Sequence, residues 1–342
     1  MIRRKQGSKL SLQQRGRIAN TEQKRADSMA IHGDALLKIL GREAFGAEEE
    51  GMVIAHYGLN VEVEDPTGER FRCAVRKSAT GEPVCGDRVL WMRAEHNQGI
   101  INRIQPRASV LQRPLSAQRL QIIAANVERI FIVFVATDPN IGLLDRYLVA
   151  AGVAGIEAVI VINKMDLVAD QPALMASFAH YERMGYRTLF TSTVASLGLT
   201  TLAAALAGYT SVFVGESGTG KSSLIAQWIT ADSLKIGQVN AESGKGRHTT
   251  TVTSLYHLPQ GGHLIDSPGI REFGLHGVAV AAVGDYFPDI VPWMANCRFS
   301  DCKHGTEPDC AVRRGVEEGA IHPARLNSLR HIQQTLLQEK LF

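Results

Sequence analysis

The segments VIVINKMDLV (159–168) and FVGESGTGKSSL (213–224) decide the fold of this chain. Each begins as an apolar run typical of a buried strand and ends in a polar loop. The second loop, 215–222, fits the phosphate-loop pattern G-x-x-x-x-G-K-[ST], and the first ends in NKMD, a guanine-recognition pattern. In an ordinary GTPase the guanine loop follows the phosphate loop, but here it precedes it by about fifty residues. Either one match is accidental or the order of the elements along the chain has been rearranged.

The phosphate loop predicts a site for a nucleoside triphosphate. Its glycines allow backbone N–H groups to close around phosphate oxygens. Lys221 is expected to reach the β- and γ-phosphates, and the Ser222 hydroxyl is expected to bind Mg²⁺. The residues expected to contact the nucleotide are Gly215, Glu216, Ser217, Gly218, Thr219, Gly220, Lys221, Ser222 and Ser223.

The NKMD segment predicts that the base is guanine. A carboxylate at Asp166 can accept hydrogen bonds from guanine N1–H and the 2-amino group, whereas adenine offers neither donor there. Asn163 suits the N7 side of the base, and the stem of Lys164 can cover the ring. The competing interpretation is a strand-to-helix loop that is polar without a ligand.

Two further elements complete the expected site. HLIDSPGI places Asp266 and Gly269 at D-x-x-G spacing, so that Asp266 would hold Mg²⁺ and the Gly269 N–H would sense the γ-phosphate. The segment GKGRHTTTVTS (244–254) suits a mobile loop whose threonine reaches Mg²⁺ only in the GTP state. Thr250 is the first candidate and Thr251 the second.

The order of the elements is therefore guanine loop, phosphate loop, switch threonine and D-x-x-G. The last three stand in conventional order with the guanine loop moved to the front, which indicates a circular permutation. A permutation is tolerated because the termini of a domain are often close together. From about residue 128, continuous apolar runs alternate with helical segments, which predicts a mostly parallel sheet covered on both faces, with both motifs at the carboxyl ends of strands.

The position after D-x-x-G predicts slow intrinsic hydrolysis. Ras-like enzymes place a glutamine there to orient water, but this chain has Ile270. His248 in GRHTTT is the nearest candidate to position water, because an imidazole titrates near neutrality. An ordinary polar loop residue is the alternative. The predicted catalytic residues are thus His248, Lys221 and Thr250.

The N-terminal part of the chain predicts RNA contacts. The first 25 residues carry eight Lys or Arg against one acid, Glu22. Residues 51–105 alternate as short strands, which suits an OB-fold barrel. In RFRCAVRK (70–77), apolar residues share one face and arginines the other. A nucleic-acid surface and an ordinary solvated face both remain open for the barrel.

The segment CRFSDCKHGTEPDC predicts a metal site. Cys297, Cys302, His304 and Cys310 supply three thiols and one imidazole within fourteen residues, a closed tetrahedral set for a structural Zn²⁺. Unligated surface thiols are the alternative. Cys73 and Cys85 are isolated and are predicted to be structural.

In combination, the arm, the barrel, NKMDL, GESGTGKSSL, GRHTTT, DSPGIREF and the Cys/His cluster resemble the circularly permuted GTPases of the RsgA (YjeQ) type. The resemblance implies GTP hydrolysis dependent on the small ribosomal subunit and its rRNA during late assembly. It also implies that the cluster residues are zinc ligands and that the family uses a histidine like His248. Ser192 and Thr193 look like the remaining guanine-contact element, although the conventional Ser-Ala is altered here.

The expected architecture is multidomain α/β. It comprises a basic arm (1–42), an OB-fold barrel (43–112), a permuted P-loop GTPase domain (113–280) and a zinc-binding helical module (281–342). The expected cofactors are GTP or GDP, Mg²⁺ and one structural Zn²⁺. The N-terminus has no signal-peptide pattern and no apolar run is long enough to span a bilayer, so we expect a cytoplasmic protein without a membrane partner. The chain is expected to act as a monomer. A non-catalytic GTP-responsive RNA-binding factor and a kinase are the rival functions.

Overall fold

Five short strands form a closed barrel at the start of the described chain. This computed structural model describes residues 45–57, 60–76, 79, 81–116, 119–229, 253–266, 273–275 and 278–339. The barrel strands are β1 Glu48–Tyr57, β2 Asn60–Glu64, β3 Arg70–Val75, β4 Arg88–Ala94 and β5 Gln98–Ile104. They follow the order β1-β2-β3-β5-β4, and β4 pairs again with β1. The predicted OB-like barrel is therefore confirmed.

The alternation along β3 fills this barrel. Phe71, Cys73 and Val75 are buried, while Arg72 between them is exposed. The Phe71 ring packs 4.8 Å from the Trp91 ring, centroid to centroid. Arg70 is paired with Glu64 at 3.1 Å, so the outward basic face predicted from the sequence is partly neutralised by acids.

A two-stranded hairpin connects the barrel to the second domain. Its strands, β6 Val110–Ser116 and β7 Arg119–Ala125, pair antiparallel. Leu111, Ala124 and Ala125 at its base have no exposed surface. The hairpin is thus anchored by its base in the packing between the two domains.

The second domain contains a six-stranded region that is mostly parallel. Its strands are β8 Arg129–Val135, β9 Glu157–Asn163, β10 Arg187–Thr191, β11 Thr210–Val214, β12 Ser254–His257 and β13 His263–Asp266. Their spatial order is β10-β9-β8-β11-β13-β12, and only β12 runs antiparallel to its neighbour β13. Alternate residues of β8 pack into different hydrophobic cores. Ile130 and Ile132 lie in the core on one face of the sheet, and Phe131 and Val133 lie in the core on the other face. Both faces of the sheet are therefore covered, as the continuous apolar runs predict.

The helices of this domain follow their strands at short intervals. They are α1 Ile141–Ala154, α2 Gln171–Ser177, α3 Ala179–Arg183, α4 Leu199–Leu206 and α5 Lys221–Ile225. Asn140 caps α1 by accepting a hydrogen bond from Leu143 N, and Gly155 ends it in the left-handed conformation. Strand, loop and helix therefore alternate as in α/β domains with a mostly parallel sheet.

The circular permutation is visible in the strand order. The guanine-loop strand β9 and the phosphate-loop strand β11 lie on either side of β8, and all three run parallel. Parallel strands present their carboxyl ends at the same edge whatever their order along the chain. The two loops therefore meet in space although the guanine loop comes first in sequence.

The barrel and the second domain share one continuous sheet. Strand β1 pairs antiparallel with β12 through Ala55 and Ser254, giving an eleven-stranded sheet. His257 Nε2 lies 2.6 Å from the Glu64 carboxylate across this junction. Strand β12 begins at Ser254, where the Thr-rich segment predicted to be a switch (244–254) ends. The barrel strand β1 is therefore hydrogen-bonded to the strand that continues from the predicted switch.

The C-terminal module is helical, with α6 Val291–Met294, α7 Ala311–Glu317 and α8 Pro323–Glu339 after a 3₁₀ segment Val280–Tyr286. Helix α8 lies against α1. Gly152 of α1 allows the Tyr286 ring to approach, since a Cβ there would lie 2.7 Å from the ring. Within the described part of the chain, none of the helices combines the length and apolar character needed to traverse a bilayer.

Candidate functional site

The guanine loop begins where β9 ends. Asn163 is the last residue of β9 and is 1% exposed, and Lys164 adopts the left-handed conformation with φ 64°. A 3₁₀ turn, Met165–Leu167, follows. Met165 is buried in the core while Asp166 is exposed. The turn therefore anchors the loop and presents the carboxylate predicted to read guanine.

Asn163 ties the guanine loop to the phosphate loop. Its side-chain Nδ2 donates a hydrogen bond to the Thr219 carbonyl oxygen at 2.9 Å. Its Oδ1 accepts one from the Thr191 hydroxyl at 3.0 Å. The sequence interpretation directed Asn163 toward the base alone, whereas the structure gives both ends of the amide a protein partner.

Thr191 is a residue that the sequence analysis missed. It ends β10, has no exposed surface and lies in register with Asn163 on the neighbouring parallel strand. Its hydroxyl fixes which end of the Asn163 amide faces the phosphate loop. The position is visible in the sequence only after β9 and β10 are known to be neighbours.

The segment after β10 contacts the guanine loop. The Ser192 hydroxyl donates a hydrogen bond to the Asp166 carboxylate and accepts one from Ala195 N at 3.0 Å. Ser192 and Leu197 form an isolated antiparallel bridge that closes the turn, and Thr193 is half-buried beside Ser192. The structure thus brings Ser192 to Asp166 and places Thr193 next to it.

The phosphate loop needs glycine at two positions for steric reasons. Gly215 has φ 134°, and a Cβ on it would lie 2.2 Å from the Val133 carbonyl oxygen. Gly220 has φ 90°, and a Cβ on it would lie 2.4 Å from Asn163 Nδ2. Any side chain at Gly220 would therefore break the link between the two loops.

Lys221 lies folded over the phosphate loop. Its ammonium donates to the carbonyl oxygens of Gly215 at 2.8 Å and Glu216 at 2.6 Å, and to Thr219 Oγ1 at 3.3 Å. Ser217 is exposed in the loop, and Ser222 and Ser223 are exposed at the start of α5. The ammonium is thus held where the loop surrounds phosphate in other P-loop proteins.

Tyr147 of α1 is within electrostatic range of the phosphate-loop residue Glu216. Burial raises the pKa of its phenol, and the Glu216 carboxylate acts in the same direction. Its ring stacks on Phe273, with centroids 6.3 Å apart and planes 3° from parallel. Because Phe273 follows D-x-x-G in sequence, this stack joins α1 to the chain just after that segment.

Asp266 ends β13 at the edge that carries the phosphate loop. Val212 of β11 and Ile265 of β13 are partners in the parallel ladder, so Asp266 and the start of the loop are close in register. Gly269, Ile270, His248, Thr250 and Thr251 lie outside the described residues. Their predicted roles therefore stay predictions.

The predicted metal ligands come together in the C-terminal module. The ligand atoms of Cys297, Cys302, His304 and Cys310 all lie within 4.8 Å of one another. His304 Nδ1 lies 3.6 Å from Cys297 Sγ and 3.5 Å from Cys310 Sγ, and these two sulfurs are 4.0 Å apart. Zinc–sulfur bonds of about 2.3 Å in a tetrahedron place ligand atoms roughly 3.8 Å apart, so the donor set could hold Zn²⁺.

The pKa values of two cluster residues, His304 and Cys302, are shifted by burial. Burial lowers the pKa of His304, which favours the neutral imidazole that binds metals. Burial raises the pKa of Cys302 to about 12, and a bound cation would favour the thiolate by releasing that proton to solvent. His304 has φ 56° and is 3% exposed, which shows that the loop is folded around it.

A family model and individual relatives both show similarity of this chain to RsgA GTPases. Residues 104–276 match the family model described as RsgA GTPase. The chain is 43% identical over 337 residues to the small ribosomal subunit biogenesis GTPase RsgA of Pseudomonas savastanoi pv. phaseolicola, covering 96% of this chain and 98% of the relative. It is 45% identical over 330 residues to the protein of the same name from Chromohalobacter salexigens, covering 95% and 97%.

Solved structures show the same relationship. The crystal structure of YjeQ from Thermotoga maritima superimposes with a TM-score of 0.67 and 30% identity, covering 85% of this chain and 99% of that one. YloQ, described as a circularly permuted GTPase, gives a TM-score of 0.67 at 26% identity, covering 85% and 96%. The similarity therefore spans the barrel, the sheet and the C-terminal module.

Proposed function

The chain belongs to the RsgA family of circularly permuted GTPases, and on that premise we propose that it hydrolyses GTP to GDP and phosphate during late assembly of the small ribosomal subunit. The observation that carries this proposal is the hydrogen bond from Asn163 Nδ2 to the Thr219 carbonyl oxygen. It joins a guanine-type loop to a phosphate loop in one site. A domain that bound only phosphate or only a base would not need that link.

We assign base recognition to the guanine loop and to the segment after β10. Asp166 accepts the N1–H and 2-amino hydrogen bonds of guanine, and Ser192 orients the carboxylate by donating to it. Lys164 covers the ring, and Thr193 lies at the edge of the base pocket. The Asn163 amide carries two N–H groups, and the one that does not donate to Thr219 is proposed to reach guanine N7.

We assign phosphate binding to residues 215–223 and phosphoryl-transfer chemistry to Lys221 with the switch segments. The ammonium of Lys221 neutralises charge on the β- and γ-phosphates. Ser222, Thr250 and Asp266 are the residues that would hold Mg²⁺, and Gly269 would donate its N–H to the γ-phosphate. When bound, Mg²⁺ supplies charge neutralisation between these phosphates.

Water attack on the γ-phosphate needs a residue that orients water, and Ile270 cannot do so. We propose that His248 has that role, accepting a hydrogen bond from the water and directing its lone pair at phosphorus. Thr251 is the second candidate, after Thr250, for the switch threonine. A histidine carried on a switch segment can be brought into place by a partner, which accounts for activity that depends on docking.

The proposed partner is the small ribosomal subunit and its rRNA, as the names of the relatives indicate. The barrel and the basic arm 1–42 are proposed to contact rRNA, and the module 281–342 to make a second contact. We propose that the chain acts as a monomer in the cytoplasm, where bacterial ribosomes assemble, and that Cys297, Cys302, His304 and Cys310 bind one structural Zn²⁺.

The decisive experiment measures GTP turnover by the full chain alone and with purified small or large subunits. Salt is fixed at a moderate concentration, because basic proteins bind any rRNA when salt is low. We expect strong stimulation by small subunits only, and loss of that stimulation in His248→Ala. Equal stimulation by both subunits would show that the partner is wrong, and unchanged stimulation in His248→Ala would exclude the histidine.

A further inference from the structure

We propose that Thr219 is a positioning residue for Lys221, holding the lysine ammonium in the phosphate loop through its side-chain hydroxyl while its backbone carbonyl is fixed by the guanine loop. The proposal rests on the role of Lys221 assigned above. It adds to the phosphate-loop pattern, which leaves the residue before the second glycine unspecified.

The Thr219 hydroxyl has a defined orientation. Oγ1 lies 3.1 Å from the Glu216 carbonyl oxygen and 3.3 Å from Lys221 Nζ. A carbonyl can only accept, so the hydroxyl proton points at Glu216. The lone pairs of Oγ1 are then directed at the ammonium, which can only donate. The hydroxyl therefore acts as an acceptor of fixed direction for Lys221.

The rest of Thr219 cannot move freely. The residue is 3% exposed, and its carbonyl oxygen accepts the hydrogen bond from Asn163 Nδ2 at 2.9 Å. Asn163 is in turn held by the Thr191 hydroxyl at 3.0 Å. A series of three hydrogen bonds therefore runs from the last residue of β10, through the guanine loop, to the lysine ammonium.

Three acceptors near Lys221 lie at different distances from its ammonium. The carbonyl oxygens of Gly215 and Glu216 lie at 2.8 and 2.6 Å, whereas Thr219 Oγ1 lies at 3.3 Å. The contact to Thr219 is the longest and the weakest of the three, but it is the one that a side-chain substitution can remove while both carbonyl contacts stay. Thr219 thus helps to hold the ammonium in the loop both before and after phosphate binds.

A pair of nearly isosteric variants tests this role. Thr219→Val keeps the branched shape and removes the hydroxyl, while Thr219→Ser keeps the hydroxyl. We expect Thr219→Val to weaken GTP binding by about 10-fold, the size expected for a hydrogen bond to a charged group. We expect Thr219→Ser to stay within about 3-fold of wild type. Equal losses in the two variants would overturn the proposal.

A double-mutant cycle separates positioning of Lys221 from a general effect on the loop. The dissociation constant for a fluorescent GTP analogue is measured for wild type, Thr219→Val, Lys221→Ala and the double variant. If Thr219 acts through the ammonium, Thr219→Val has no further effect once Lys221 is alanine. If the hydroxyl only supports the loop through Glu216, the losses add, and that result overturns the proposal.

The wild-type measurement in the same series distinguishes this inference from the proposed function. A wild-type chain that neither binds nor hydrolyses GTP would refute the proposed function itself. A wild-type chain that does both, together with Thr219→Val of unchanged affinity, would refute only the role of Thr219.

Discussion

Arg325 of α8 and Asp145 of α1 form an ion pair in which the two side chains are 1% and 0% exposed. The opposite edge of the guanidinium donates to Asp289 at 3.0 Å, and the Tyr181 hydroxyl donates to Asp145 at 2.7 Å. The Phe287 ring lies 4.3 Å from the guanidinium carbon. The C-terminal helix is therefore docked on the GTPase domain through a charge network buried among aromatic rings.

Removing the guanidinium should strongly destabilise this junction. Arg325→Leu leaves Asp145 and Asp289 without their cation in a buried site, where such a loss costs about 3–5 kcal/mol. Urea denaturation should show the free energy of unfolding falling by that amount, or the C-terminal module unfolding first. Arg314→Ala is the control, because its side chain is 61% exposed and its pair with Glu318, at 4.0 Å, lies at the surface. Equally small losses of unfolding free energy in Arg325→Leu and Arg314→Ala would show that the buried charge network does not stabilise the junction.

Zinc should be required for the order of the C-terminal module. We expect elemental analysis to find about one zinc per chain, since four protein ligands complete a tetrahedron. Cys302→Ser should lower that content and make α7 and α8 sensitive to limited proteolysis. Lys303→Ala is the matched control, since its exposed side chain lies between two ligands without being one. Full zinc content in Cys302→Ser would remove that residue from the ligand set.

Asp166→Asn should change which base is bound. Xanthine carries a carbonyl where guanine has its 2-amino group, so an asparagine amide can donate to that carbonyl while accepting from N1–H. We expect GTP affinity to fall about 100-fold and XTP affinity to rise, because an unpaired polar group is left with the wrong base. Competition binding measures both. Tight GTP binding by the variant would show that Asp166 does not read the base.

Thr191→Val tests whether the Asn163 amide must be fixed. The substitution removes the hydroxyl that donates to Asn163 Oδ1 and keeps the shape of the side chain. We expect GTP affinity to fall by about 5- to 10-fold, from the loss of one buried hydrogen bond. Fluorescence titration is the measurement, and Thr188→Val, three residues earlier on the same strand and outside the proposed nucleotide site, is the control. Unchanged affinity in Thr191→Val would show that Asn163 holds its orientation without it.

Acid should weaken the fold through His180. Burial lowers the pKa of His180, and the neighbouring His322 and Arg325 lower it further. The unfolded chain therefore takes up this proton at a higher pH than the folded one. The contribution of His180 to stability is complete above the unfolded pKa of about 6.5 and is lost as pH falls below it.

The test measures the free energy of unfolding between pH 7.5 and pH 5.5 in wild type and in variants. In His180→Phe, which keeps an aromatic ring against His322, stability should fall less steeply with acid than in wild type. Burial also lowers the pKa of His263 and of His304, so some acid sensitivity should remain. His96→Asn, at a side chain that is 84% exposed, is the control. If stability falls with acid as steeply in His180→Phe as in wild type, His180 is not a source of the acid sensitivity.

The sequence alone predicted the parts of this protein that depend on short-range spacing. The phosphate loop, NKMD and the Cys/His cluster each lie within one short segment, where residue type and spacing decide which backbone conformations and donor atoms are available. The alternation in β3 placed Phe71, Cys73 and Val75 inside a barrel for the same reason. The order of the motifs was enough to predict the circular permutation.

The tertiary structure decided which distant groups serve those motifs. Thr191 reaches Asn163 because β10 lies beside β9, and Asn163 reaches Thr219 because β9 and β11 end at the same edge of the sheet. Arg325 meets Asp145 across 180 positions of sequence. Hydrogen bonds and ion pairs act only over a few ångströms, so these partners depend on strand order and helix docking, which no local pattern in the sequence specifies.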